Sequence, residues 1–428
     1  MINKNFSYSI GKAIKVIKIC SFDFFEKLKS LHKSFSFFSI IVFLPLFISI
    51  SLEANNLISL DRSVWISGQF QGGGIRGEKL AFKNLTPYLV SFPFSLMLVS
   101  FFAIKYFPKI ITNKSYQLTI SWILFILIFN FTIGNISEMF IKILGGMVIF
   151  STSILVFDEY FSRLNSSINI TKEKNHLEDY YILKPFFLVA FILLLSHIIY
   201  RDDTLIIPWL KIYNFDQYLA YNLFIFIGVL FRKKWQLIFS FSLVAFFAYA
   251  SMNDGIKIML IFLFIGYLIY VSNFNWLKKY SFNIMKFAIF CIILYQFLCY
   301  YFPSAKDFVP NNLSLRMDDV FEFYDTVSFG NLFLPLHFDI KIIDYLHNEV
   351  LTILSVAGFL GVFLYYRTLY KKIKIILDRN IGVAMSLSMV IIIGGVLVLP
   401  TLHPSTGILI AYLVSFYSSI GNKFIYKL

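Results

Sequence analysis

Residues 347–366 read HNEVLTILSVAGFLGVFLYY, a polar triplet followed by an apolar run without charged side chains. A helix needs about 20 predominantly apolar residues to cross the hydrocarbon core of a bilayer. Runs of this kind recur along the chain, so we expect a membrane protein with many helical spans. The stretch 347–366 is the most informative of them, because polar residues open it and small residues follow.

The composition of the whole chain supports this expectation. Of its 428 residues, 58% are hydrophobic and 14% are charged, and Phe alone occurs 52 times. Soluble domains carry about 25% charged residues, so the composition excludes soluble dehydrogenases, hydrolases and nucleic-acid-binding proteins. The 3 cysteines are too scattered for a disulfide framework or a metal site.

Hydropathy predicts an all-α fold, a polytopic transmembrane bundle of about 12 spans. The predicted spans cover roughly residues 36–53, 87–107, 117–133, 139–157, 184–200, 218–231, 235–251, 256–275, 283–302, 347–366, 381–400 and 405–421. The chain thus divides into four regions. These are a basic N-terminal segment (1–35), a bundle of nine spans (36–302), a long loop (303–346), and three further spans with a short tail (347–428).

Charge predicts the orientation of the spans. Basic residues outnumber acidic ones in 1–35 and cluster again at 105–116 and 367–379. Because Lys and Arg accumulate in cytoplasmic loops, we expect both termini in the cytoplasm, and the same bias explains most of the net charge of +14. The loop 303–346, which is the longest and most acidic, then lies on the outer side. Its segment 313–326 has apolar residues at the spacing of an amphipathic helix, and we expect short helices in this loop.

The triplet His347-Asn348-Glu349 stands where this outer loop enters a predicted span. With an ordinary pKa of about 6.5, His347 is mostly neutral outside the cell and is available as a general base. The alternative is that His347 is an interfacial side chain without a chemical role. Gly358 and Gly361 follow the triplet and predict close helix packing.

Four basic residues on the same predicted side are candidates for binding an anionic group: Arg316, Lys257, Lys211 and Arg76. Each also has an ordinary interpretation. Arg316 has acidic neighbours with which it can form a salt bridge, and Lys257 can snorkel from a helix end to the interface. Lys211 fits a loop charge, and Arg76 belongs to a glycine-rich stretch that is typical of a flexible loop.

The order of four stretches resembles the bacterial O-antigen polymerase and O-antigen ligase superfamily. They are IYNFDQYLAYNLFIFIGVL (212–230), SMNDGIKIMLIFLFIGYLIY (251–270), LSLRMDD (313–319) and YLHNEVLTILSVAGFLGVFLYY (345–366). The His-Asn motif with its Gly-x-x-Gly helix is the specific part, and residues preceding the first stretch resemble the family mainly in hydropathy. The chain departs from the family where Lys257 stands near the position of a family Arg.

The resemblance implies a glycosyltransferase of the bacterial inner membrane, with a periplasmic active site and without a metal or cofactor. The implied donor is an undecaprenyl diphosphate-linked oligosaccharide, and the acceptor is a lipid-linked repeat unit for a polymerase or the lipid A core for a ligase. The implied catalytic residues are His347, which takes the acceptor proton, and Arg316, which stabilises the diphosphate leaving group. The implied substrate-binding residues are Lys257, Asn348, Lys211 and Arg76.

We favour the polymerase, because its sequences diverge widely and the departure at Lys257 fits a divergent member. The resemblance also implies membrane lipid and a chain-length regulator as partners, and no nucleic acid. Three alternatives stay open: a ligase, a transporter of lipid-linked sugars, and a non-catalytic scaffold of envelope assembly. A transporter typically shows internal repeats and cationic residues in a central cavity, and the sequence shows neither.

Overall fold

In the computed structural model, the described residues form helices or join them, and they contain no β-strand. These residues are 36, 38–43, 86–133, 138–167, 177–186, 188, 280, 283, 287, 290, 291, 294–308, 320, 321, 323–325, 329–333, 348–379, 381–397, 401, 402 and 404–419. The expected all-α fold is confirmed for this part of the chain.

The helices of the described part follow one another along the chain with short connections at several points. The α-helices whose two ends are both described are α1 (Thr86–Ile111), α2 (Lys114–Thr132), α3 (Glu138–Ser167), α4 (Phe329–Phe333), α5 (Glu349–Arg379), α6 (Ile381–Leu397) and α7 (Pro404–Ser419). A π-helical turn (Asp179–Leu183) and a 3₁₀ helix (Pro303–Phe308) lie between α3 and α4. The helices α1, α2, α3, α5, α6 and α7 each overlap a span predicted from hydropathy.

Among the described residues, 3 helical stretches are long and apolar enough to cross a membrane: Lys114–Thr132, Ile143–Asn165 and Glu349–Arg379. Shorter apolar stretches occur in α6 and α7, at Val383–Ile392 and Gly407–Ser419. These helices indicate a membrane protein. The predicted number of spans and the location of the termini depend on residues outside the described part, so they stay predictions.

Two helices continue beyond the apolar spans from which they were predicted. The predicted spans end at residues 157 and 366, whereas α3 ends at Ser167 and α5 at Arg379. The extension of α3 carries charged residues that pair with each other, as Arg163 Nε does with Glu159 Oε1 at 2.6 Å. Hydropathy reports where a helix is apolar, and a helix continues past that point when its polar side chains find partners.

Helices α3 and α7 form the centre of the bundle. Every residue of α7 from 408 to 417 is buried, as expected for a helix that is enclosed on all sides. The Tyr412 ring packs edge-on against Phe161, with centroids 5.1 Å apart. Its hydroxyl lies 2.6 Å from Ser39 Oγ and donates to the Tyr181 carbonyl at 3.0 Å. The centre is therefore aromatic, and the buried Tyr412 hydroxyl is paired within it.

The C-terminal ends of α1, α3, α5 and α7 meet at one end of the bundle. Lys109 Nζ lies 2.7 Å from Glu159 Oε1 and joins α1 to α3, and Lys372 Nζ lies 2.6 Å from Asp158 Oδ2 and joins α3 to α5. We call this end the basic end. Its exposed or half-buried bases are Lys105, Lys109, Arg163, Lys371, Lys372, Lys374 and Arg379.

Helix α5 is broken at Gly358, whose φ of 65° and ψ of −177° are not helical. We call residues 349–357 the half-helix and residues 359–379 the long part of α5. In a straight helix, Glu349 and Tyr366 would lie about 25 Å apart along the axis. Instead, the Tyr366 hydroxyl donates to Glu349 Oε1 at 2.7 Å. The half-helix therefore folds back against the long part.

Two neighbours hold this break in place. Trp122 Nε1 of α2 donates a hydrogen bond of 2.8 Å to the carbonyl oxygen of Ala357, the last residue of the half-helix. The last carbonyls of a helix have no intrahelical partner, so this bond supplies one. A Cβ placed on Gly358 would lie 2.7 Å from the Phe333 carbonyl oxygen, which shows that α4 presses against the break. Part of the loop 303–346 thus packs into the bundle.

Candidate functional site

One of the six predicted site residues, Asn348, belongs to the described part of the chain. The other five lie outside it, and their roles stay predictions: His347, Arg316, Lys257, Lys211 and Arg76. The structure therefore bears on the site through Asn348 and the residues around it.

Asn348 caps the N-terminus of the half-helix. Its Oδ1 accepts a hydrogen bond of 3.1 Å from the Leu351 N–H, and its carbonyl oxygen accepts one of 2.8 Å from the Thr352 N–H. Asn is among the favoured residues at this position, where a side-chain oxygen stabilises a helix by about 1 kcal/mol. Asn348 is 4% exposed, so the half-helix begins inside the bundle.

The next residue, Glu349, is a fully buried carboxylate that four donors satisfy. Oε1 accepts from the Tyr366 hydroxyl at 2.7 Å and from Thr401 Oγ1 at 2.5 Å. Oε2 accepts from the backbone N–H groups of Thr401 at 2.7 Å and Leu402 at 3.3 Å. Burying a carboxylate without such partners would cost several kcal/mol, and these four neutral donors offset that cost.

The two backbone donors belong to a turn between α6 and α7, here called the buried turn (Thr401 and Leu402). Glycines on the adjacent helices allow it to lie deep in the bundle. A Cβ on Gly146 of α3 would lie 2.7 Å from the Leu402 carbonyl oxygen, and a Cβ on Gly407 would collide with the Thr401 carbonyl oxygen. Only a residue without a side chain permits so close an approach of another backbone.

The network continues beyond Glu349. The Tyr365 hydroxyl lies 2.8 Å from Thr401 Oγ1, and Tyr365 and Thr401 are each buried. The half-helix start, the buried turn and two tyrosines of the long part thus share one chain of hydrogen bonds. Such a network orders three separate segments, because each donor points at an acceptor on another segment.

This arrangement differs from the expectation in two respects. The sequence predicted that Asn348 stands at the membrane boundary, whereas it is buried and its Oδ1 caps a helix. Its role in binding substrate stays a prediction. Glu349 was not among the predicted site residues. An acidic residue in a membrane-embedded stretch is costly and typically functional, and this was the signal that could have identified it.

Aromatic residues of the loop 303–346 pack inside the protein in the part of the loop that the structure describes. Residues 320, 321 and 323–325 are helical, within the predicted amphipathic segment 313–326. Phe323 is 1% exposed, so it is a core residue and offers no surface for a sugar. Tyr324 packs edge-on against Tyr300, with ring centroids 5.7 Å apart.

Within the part of the chain that the structure describes, no group of three His, Cys, Asp or Glu side chains is placed to hold a metal ion. Compared with protein-family models, with curated proteins and with solved structures, the chain gives no match.

Proposed function

We propose that the chain is an O-antigen polymerase, which joins undecaprenyl diphosphate-linked repeat units on the periplasmic face of the inner membrane. This proposal comes from the sequence resemblance. The structural observation that supports it is the buried polar start of the half-helix, which stands directly after His347 in the sequence. A glycosyl transfer on a lipid-linked donor needs polar residues ordered inside an otherwise apolar bundle, and Asn348 and Glu349 are ordered in this way.

In the proposed reaction, His347 takes the proton of the attacking sugar hydroxyl as general base. General bases of this kind contribute about 10²- to 10⁴-fold to a rate. Arg316 stabilises the negative charge that develops on the diphosphate as the glycosidic bond breaks. Lys257, Lys211 and Arg76 are proposed to bind the same diphosphate.

Diphosphate leaves as an anion, so the proposed reaction needs neither a general acid nor a metal ion. A direct displacement inverts the configuration at the anomeric carbon. Comparing the linkage of the donor with that of the product tests this step.

The test of the proposed function is an electrophoretic lipopolysaccharide profile of a deletion strain. We expect the deletion to leave core that carries one repeat unit, and wild-type protein to restore the polymer ladder. His347→Ala and Arg316→Ala should not restore it. Lys374→Ala, at an exposed position of the basic end, serves as the control and should restore it.

The same profile distinguishes the ligase. A ligase deletion leaves bare core while polymer accumulates on the lipid carrier. A scaffold without catalytic function would tolerate His347→Ala and restore the wild-type profile. Either result contradicts the proposed polymerase.

One observation favours a transporter of lipid-linked sugars as the second candidate. Broken helices are a recurrent feature of transporters, where they form binding sites near the middle of the membrane. Helix α5 is likewise broken, at Gly358, and the turn beside its half-helix is buried in the bundle. The transporter predicts that lipid-linked repeat units accumulate on the cytoplasmic leaflet of the deletion strain, and the polymerase predicts that they accumulate on the periplasmic leaflet.

A further inference from the structure

Glu349 is a buried acidic residue to which the proposed reaction gives no task. We infer that Glu349 is a positioning residue, which fixes the start of the half-helix against the buried turn and the long part of α5. The functional part of this inference rests on the proposed transferase. The structural part stands on the hydrogen bonds alone.

The geometry of the carboxylate supports this inference. Its two oxygens each accept two hydrogen bonds, and the donors belong to two other segments of the chain: Tyr366 of the long part, and Thr401 and Leu402 of the buried turn. A single side chain therefore connects three segments that are distant in sequence. Moving the half-helix away from either neighbour breaks at least one of these bonds.

The connection reaches the predicted catalytic region through the helix cap. Glu349 follows Asn348, whose Oδ1 and carbonyl oxygen accept the first N–H groups of the half-helix. Fixing Glu349 therefore fixes the cap residue, which directly follows His347 in the sequence. A displacement of reacting groups by about 1 Å can lower a rate about 100-fold, so this positioning has a measurable effect.

The donor types predict which substitution the site tolerates. The backbone N–H groups of Thr401 and Leu402 can only donate, so the atom beside them must be an acceptor oxygen. The Thr401 and Tyr366 hydroxyls can donate or accept. The amide of a Gln at position 349 can place its oxygen against the backbone and its NH₂ against the hydroxyls. Glu349→Gln therefore preserves the network, and Glu349→Ala removes it.

The experiment measures transfer by the full-length protein in membranes, with a lipid-linked repeat unit as donor and activity expressed per folded molecule. We expect Glu349→Gln to retain most of the wild-type kcat. Glu349→Ala should lower kcat about 100-fold and leave the KM for the donor near the wild-type value. A general base or a proton donor at position 349 would be inactivated by Glu349→Gln, and that result would overturn the inference.

A second pair of variants guards against misfolding of Glu349→Ala. Thr401→Val removes one donor at constant shape, and Thr401→Ser restores the hydroxyl. We expect a loss of kcat with Thr401→Val and recovery with Thr401→Ser. Thr112→Val, at an exposed position of the basic end, is the matched control. A Thr401→Val protein with wild-type kcat would contradict the positioning role. The role would also be contradicted if Thr401→Val lowered only the amount of folded protein and left kcat per folded molecule unchanged.

Amide hydrogen exchange tests the structural part independently of catalysis. The Thr401 and Leu402 amides should exchange faster in Glu349→Ala than in the wild type, while the amides of α3 stay unchanged. Unchanged protection of these two amides would show that Glu349 does not hold the turn. If the wild-type protein transfers no glycan, the proposed function fails, and the exchange measurement still decides whether Glu349 fixes the half-helix.

Discussion

At the scale of single residues, the centre of the candidate site consists of buried polar groups that need hydrogen-bond partners. Glu349 is fully buried and receives two backbone and two hydroxyl donors, and Asn348 beside it completes a helix terminus. Both residues were part of a polar triplet that the sequence marks as unusual in an apolar stretch. The sequence could not show which atoms they bond, because Thr401 is 52 residues away from Glu349 along the chain.

Gly358 gives a prediction at the same scale. Its φ of 65° is unfavourable for a residue with a side chain, and a Cβ there would lie 2.7 Å from the Phe333 carbonyl oxygen. We expect Gly358→Ala to lower the free energy of unfolding by about 1–3 kcal/mol from the backbone conformation, with the close contact adding to it.

Thermal unfolding of the full-length protein in detergent checks this effect. Gly145→Ala is the matched control, because no described atom lies within 4 Å of its added Cβ. Ala is favoured over Gly inside a helix by about 1 kcal/mol, so this variant should be at least as stable as wild type. Equal melting temperatures for the two variants would contradict the broken conformation of α5.

At the scale of elements, α5 shows that sequence predicts the length of a helix better than the path that the helix takes. Its length and apolar composition predict a membrane span, and Glu349–Arg379 meets both criteria. The course of the chain depends on one glycine dihedral, on the Trp122 bond to Ala357 and on the packing of α4. These are contacts between distant segments, which a hydropathy window does not contain.

The ion pair that joins α3 to α5 gives a prediction for these elements. Lys372 Nζ lies 2.6 Å from Asp158 Oδ2, and the two side chains are 20% and 21% exposed. Lys372→Met removes the partner of a mostly buried carboxylate, and we expect it to lower the free energy of unfolding by about 3 kcal/mol. Thermal unfolding of the solubilised protein measures the loss.

Two further variants make the result specific to the pair. Asp158→Asn combined with Lys372→Met should recover most of the stability, because no unpaired charge is then left between the helices. Lys374→Met alters an exposed residue of the same helix and should change stability little. If Lys372→Met is no less stable than Lys374→Met, the pair does not join the two helices energetically.

At the scale of the whole molecule, charge separates the two ends of the bundle. The basic end collects the C-terminal ends of α1, α3, α5 and α7, and ion pairs connect three of these helices there. Since Lys and Arg accumulate on the cytoplasmic side, we expect the basic end to face the cytoplasm.

Cysteine labelling in intact cells checks this orientation. Helix α2 runs about 28 Å between its ends, so Thr112, before it, and Ile133, after it, belong to opposite ends. In a variant that lacks the native cysteines, a membrane-impermeant maleimide should label Ile133→Cys directly. Thr112→Cys should be labelled only after permeabilisation. The reverse pattern would place the basic end outside.

The sequence by itself determined the properties that depend on the average hydropathy and charge of neighbouring residues. For the described part of the chain, it predicted the all-α fold, the positions of the apolar helices and the grouping of basic residues, because hydropathy and charge act locally along the chain. Tertiary structure alone decided the break of α5, the burial of Asn348 and Glu349, and the meeting of the half-helix with Thr401. The reason is that a folded-back helix depends on one glycine conformation and on hydrogen bonds between segments that only the packed bundle brings together.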